Sequence, residues 1–137
     1  MKIKALSTGI KMFVGILLFL FIFCEGLFGQ SDIVDLNSNT YEEKTSQGIV
    51  AVEYWAGWNK INRVVDFDKA KSAELYRVNI DSCLDLQIKN SVIVVPTIIF
   101  YDNGKEYKRL QGDLSFTLAV SKKELQKIID EILMSKF

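Results

Sequence analysis

Val52-Glu53-Tyr54-Trp55-Ala56-Gly57-Trp58-Asn59-Lys60-Ile61-Asn62 is the stretch on which the fold turns. With Ile49, Val50 and Ala51 ahead of it, the run to Trp55 is β-branched and aromatic, and its one charge is Glu53. Such a run suits a strand buried on both faces. Past Trp58, Asn59 is a residue type that caps helices, so a helix is expected from about that point. Only residues 63–72 remain before the next apolar run, and Asp66 and Asp68 interrupt them. That helix must be short.

Working outward, Ile33 to Leu36 reads as a short strand, and Asn39 with Glu42 three residues on can cap a first helix running to about Ser46, which Gly48 ends. On the other side, Leu75 to Ile80 alternates as a second central strand, and Ser82 with Asp85 caps a short helix over Leu84 and Ile88. Pro96 breaks an apolar run that restarts as a strand from Thr97 to Tyr101. Asn103-Gly104 predicts a type I′ hairpin into Lys105 to Leu110. A capping box at Ser121 and Glu124 opens a final helix, with Leu125, Ile128, Ile129, Ile132 and Leu133 at helical spacing. The order is β-α-β-α-β-α-β-β-α. Long βα connections imply parallel strands and the hairpin forces an antiparallel pair, so we expect a mixed central sheet in a three-layer α/β/α sandwich.

The first thirty residues read differently. Lys2, Lys4 and Lys11 precede an apolar run from Phe13 to Phe23, and small residues follow at Gly26 and Gly29. That layout is a secretory signal peptide, expected to be cut after Gly29, with an uncleaved anchor the second choice. The expectation is a leader over 1–30, one domain over 31–137, and an exported protein, periplasmic or extracellular, with no membrane contact after cleavage. Phe23 is too large for the residue before a lipid-acceptor cysteine, which argues against lipidation at Cys24.

Composition narrows the function classes. Among 137 residues, 17 Lys and Arg balance 17 Asp and Glu, so no net field draws the chain to nucleic acid. There is no histidine, which removes the usual general base and the commonest metal ligand. Neither a metal nor another cofactor is expected. Outside the leader Cys83 is the only cysteine, so no internal disulfide is available.

Three segments in order carry a resemblance: V-E-Y-W-A-G-W at 52–58, V-N-I-D at 78–81, and V-V-P-T-I-I-F-Y-D-N-G at 94–104 with Gly112 beyond. Together they resemble the thioredoxin family over nearly the whole of 31–137. The resemblance implies a thioredoxin-like fold, a cis peptide bond at Pro96, and a peptide-contact surface from Trp55, Trp58, Val95, Pro96 and Gly112. It places Glu53 where the family buries an acid that serves the second cysteine, and Asp81 where a residue bonds an indole N–H of the W-A-x-W motif. The family's C-x-x-C, however, is replaced by Asn59 and Asn62. Dithiol exchange needs a thiolate and a resolving thiol, and asparagine supplies neither.

Each site residue also has a plain reading. Asn59 is an N-cap and Asn62 an exposed first-turn residue, preferred over ligand-contacting amides. Glu53 is a remnant satisfied by lysine or backbone donors, its carboxyl raised by burial. Cys83, at a helix start where thiols are reactive, is a half-buried structural cysteine or a candidate thiol for monothiol exchange. Phe116-Thr117-Leu118-Ala119-Val120 is an extra apolar stretch that either joins Trp55 and Trp58 in an exposed face or folds back over the shortened second helix. Three functions stay open. The first is a redox-inactive module that binds a protein or peptide in the former active-site groove, pairing with the Val95 backbone. The second is monothiol disulfide exchange through Cys83, and the third is a structural subunit of an envelope complex.

Overall fold

Strand β2 (Ile49–Trp55) sits at the centre of a five-stranded sheet ordered β1-β3-β2-β4-β5. The computed structural model describes residues 32–137, so the leader assigned to 1–30 and Cys24 lie outside the described residues. Residues Ile33–Phe137 form a compact unit. Strands β1 (Val34–Asp35) and β2 run parallel to β3 (Glu74–Asn79), β4 (Thr97–Asp102) runs antiparallel to β2, and β5 (Lys105–Gln111) antiparallel to β4. The mixed sheet is as expected. One long connection, from β3 across to β4, delivers an antiparallel strand rather than a parallel one.

Alternation in β2 divides the core in two. Val50, Val52 and Tyr54 face Tyr41 of helix α1 (Tyr41–Thr45) and Leu86 of helix α2 (Leu84–Lys89). Ala51 faces the opposite way, with Ile98 and Phe100 of β4, onto Phe67 and the buried stripe Leu125, Ile128, Ile129, Ile132 of helix α3 (Lys122–Met134). Both faces of the sheet are covered, which makes the α/β/α sandwich. The α1 side carries a polar device. Tyr41 Oη shares hydrogen bonds with Tyr54 Oη at 2.7 Å and with Tyr101 Oη, so three buried hydroxyls satisfy one another.

Several local expectations held. The capping box is formed: Glu124 N–H donates to Ser121 Oγ at 3.2 Å, and Ser121 N–H to Glu124 Oε2 at 2.7 Å. Asn103 and Gly104 have φ of 48° and 83°, as a type I′ turn requires. Asn103 also fastens the turn to the start of β2, its Oδ1 accepting from Gly48 N–H at 2.9 Å. The Val95–Pro96 bond is cis, as the resemblance implied.

Others did not. Helix α1 begins at Tyr41 after Thr40, and the Asn37 carboxamide, not Asn39, takes the free N–H groups of Asn39 and Thr40. Glu42 pairs instead with Lys89. Ser82 does not cap α2, because its hydroxyl turns back to the Asn79 carbonyl. The second helix is absent as an α-helix. Two 3₁₀ segments, Gly57–Asn62 and Phe67–Lys69, take its place. With Val64 N–H drawn to the buried Glu53 and few residues before β3, the chain has no room to propagate α-helical turns. Phe67 of the second segment is fully buried, packed in the cluster of Ile98, Phe100 and the α3 stripe.

Phe67→Ala should therefore destabilise the fold by about 3–5 kcal/mol. A fall in the urea midpoint at unchanged slope checks this; an unchanged midpoint would show that the 3₁₀ pair is not a core element.

Candidate functional site

The end of β2, the cis-Pro96 turn and a loop after β5 meet at the side chain of Asn59. Asn59 is buried, 6 % exposed, and lies inside the first 3₁₀ segment at φ −119° and ψ 21°, not at its cap. One hydrogen of its amide goes to the Val95 carbonyl at 3.1 Å and the other to the Phe116 carbonyl at 3.0 Å. Its Oδ1 accepts from Asn62 Nδ2 at 2.7 Å. The N-cap reading of Asn59 and the exposed-turn reading of Asn62 both give way to an amide pair that ties three segments together. The physical reason is shape: a carboxamide has two donors and an acceptor in one plane, and three partners stand within reach.

The loop at residues 112–117 is shaped to meet it. Gly112 N–H donates to Pro96 O at 2.9 Å, and a Cβ at Gly112 would stand 2.8 Å from that oxygen and 3.1 Å from Thr117 O. Asp113 Oδ1 accepts from Ser115 N–H at 2.9 Å, Ser115 Oγ at 2.6 Å and Thr117 N–H at 3.2 Å. These bonds hold the Asp113 carboxyl below its usual range, the Ser115 hydroxyl most of all. Phe116 takes φ 59°, in the left-handed region that a bulky residue seldom enters, and sets its ring at right angles to Trp58 with centroids 5.1 Å apart.

Of the six residues expected to contact a peptide, Trp58 and Phe116 are exposed, at 62 % and 43 %, Trp55 and Gly112 are half-buried, and Val95 and Pro96 are buried. The Val95 carbonyl already accepts one hydrogen bond from the Asn59 amide, so an extended ligand pairing there would share that oxygen with it. The 116–120 stretch divides between its two expected fates: Phe116 joins Trp58, while Leu118 and Val120 pack against the Phe67–α3 side of the core.

Glu53 is fully buried and lies opposite Arg77 in the parallel β2–β3 register. Its Oε1 accepts from Arg77 Nε at 2.6 Å and its Oε2 from Val64 N–H at 2.5 Å. The carboxylate is thus satisfied by arginine and backbone rather than lysine. Burial pushes its carboxyl up, outweighing the opposing pull of Arg77, Val64 N–H and Arg63. The indole partner expected at Asp81 is found elsewhere: Trp55 Nε1 donates to Asp35 Oδ1 at 2.7 Å, and Asp81 Oδ2 takes Gly57 N–H at 2.6 Å. Arg63 lies over the Trp55 ring at 4.9 Å. Cys83, 5 % exposed, directs its thiol at the Leu36 carbonyl, 3.7 Å away. It is more buried than the half-buried position expected for it.

Sequence reasoning missed Asp35, Arg77 and Asp113. Arg77 became visible only once the β2–β3 register was fixed, and Asp113 only once its loop was seen to close on Thr117. Among the described residues no group of His, Cys, Asp or Glu is arranged to hold a metal ion, and no helix is long and apolar enough to cross a membrane.

Two outcomes test this geometry. Asn59→Ala leaves two carbonyls without their donor and should cost about 1–3 kcal/mol, read as a lowered urea midpoint. For Glu53, the unfolded chain releases its proton near 4.5 while the folded chain holds it to higher pH. Its contribution to stability should therefore be full below 4.5 and fall as pH rises through the folded midpoint, a slope that Glu53→Gln removes. A carboxyl ¹³C titration midpoint at or below 4.5 would contradict it.

Comparison with known proteins follows the same lines. The sequence model of the thioredoxin family matches residues 32–131. A thioredoxin from Mycoplasma genitalium is 32% identical over 69 residues, 46% of this chain and 68% of that protein. Among solved structures, a point-mutant thioredoxin from Halobacterium salinarum aligns with TM-score 0.60 at 17% identity, covering 73% of this chain and 88% of that one. Malassezia sympodialis thioredoxin aligns with TM-score 0.53 at 19% identity over 74% and 90%. With the family model matched across most of its length, the chain belongs to the thioredoxin family.

Proposed function

We propose that this chain is an exported thioredoxin-family domain that has left dithiol exchange and binds a protein or peptide partner at the former active-site groove, on the apolar face of Trp58. The observation that carries the proposal is the state of the former cysteine positions. Asn59 and Asn62 hold amides bonded to each other and to the Val95 and Phe116 backbone, so the positions are structural and carry no thiol. Beside them Trp58, 62 % exposed, packs edge to face against Phe116, 43 % exposed, so two exposed aromatic rings stand together at the site. Exposed apolar patches of this kind mark contact surfaces. The leader-like first thirty residues support export.

Monothiol exchange through Cys83 is the alternative, and burial of that thiol against Leu36 weighs against it, because a disulfide substrate needs an exposed sulfur.

Two measurements check the proposal. The full chain should leave the rate of insulin disulfide reduction by dithiothreitol unchanged; acceleration would restore the redox reading. Affinity capture from the envelope of its own cells should retain a partner that Trp58→Ala loses, with the urea midpoint of the variant close to that of the parent because Trp58 is mostly exposed. Equal capture by both proteins would remove the surface from consideration.

A further inference from the structure

We infer that the 113–117 loop is a built-in occupant of this surface, a strap that a partner must displace; the inference rests on the docking reading above. Asn59 has two amide hydrogens, and the chain's own Val95 and Phe116 carbonyls consume both. The Phe116 ring takes the face of Trp58, and Gly112 closes on Pro96. Two of the contacts open to an extended ligand here, one Asn59 amide hydrogen and the Trp58 ring, are already made by the loop.

Three observations mark the loop as releasable rather than core. Leu114 at its tip is 97 % exposed, so little apolar area holds it down. Phe116 sits in the left-handed region, a conformation imposed by the contacts around it. Only two backbone bonds close it, Asp113 N–H to Thr117 O at 2.8 Å and Phe116 N–H to Asp113 O at 3.0 Å, and its other internal bonds run to one exposed carboxylate, Asp113, from Ser115 and Thr117. The segment is also hinged between fixed points: Gly112 against Pro96 on one side, and Leu118 and Val120 in the core on the other. The strap defines its competitor by what it supplies. The partner is an extended polypeptide segment that offers a backbone carbonyl to the Asn59 amide and an aromatic side chain to Trp58.

The test uses the full chain, its Asp113→Ala and Phe116→Ala variants, and a blocked peptide of the chain's own residues 112–120 as the probe. Asp113→Ala removes the carboxylate acceptor and leaves the loop only its two backbone bonds, while Phe116→Ala removes the competing ring and keeps a side chain at the left-handed φ of 59°. Both variants should bind the peptide at least tenfold tighter than the parent by tryptophan fluorescence, because the parent's own loop competes at high effective concentration. A peptide with alanine in place of its phenylalanine should bind at least tenfold more weakly to both variants. Equal or weaker peptide binding by either variant overturns the inference. If partner capture by the parent persists in that case, only the strap fails and the docking surface stands. If capture is also insensitive to Trp58→Ala, the docking reading itself is lost.

Discussion

The Asn59 amide donates to the Val95 and Phe116 carbonyls while its own carbonyl receives Asn62, and the arrangement of the site follows from that one group. A thiol at this position would have one weak donor and could not span three segments. A carboxamide can. The Val95 bond is buried and the other two are partly so, where an unmade bond costs about 1–3 kcal/mol against a net gain of about 1 kcal/mol for one made. The Phe116 bond, with Gly112 N–H to Pro96 O, is what seats the loop after β5 at the cis-Pro96 turn.

Glu53 is held by Arg77 across the sheet and by the Val64 N–H. That second bond helps keep residues 63–66 out of an α-helix, so the chain passes to β3 through two 3₁₀ segments and inserts Phe67 as a plug. Leu118 and Val120 then reach the same side of the core, and the stretch that carries them also carries Phe116 to Trp58.

What could be read from the sequence was whatever depends on local pattern. Strand β2, the Asn103-Gly104 turn and the Ser121–Glu124 box depend on neighbours in the chain, and each stands where periodicity and cap chemistry place it. Legibility failed where a side chain chose between local and distant partners. Asn59 has a good local role as a cap, yet two distant carbonyls won; Ser82 and Asn39 lost their caps to nearby backbone and to Asn37. Trp55 found Asp35 rather than Asp81 because β1 lies beside β3 in the sheet, a fact of topology that no spacing along the chain reveals.

The central claim, that Asn59 is a structural strut, is most directly tested by NMR of its side-chain amide. Two separated, slowly exchanging Nδ2 protons, with scalar couplings across the hydrogen bonds to the Val95 and Phe116 carbonyl carbons, are the expected result. A single averaged pair exchanging as fast as a solvent-exposed asparagine would contradict it.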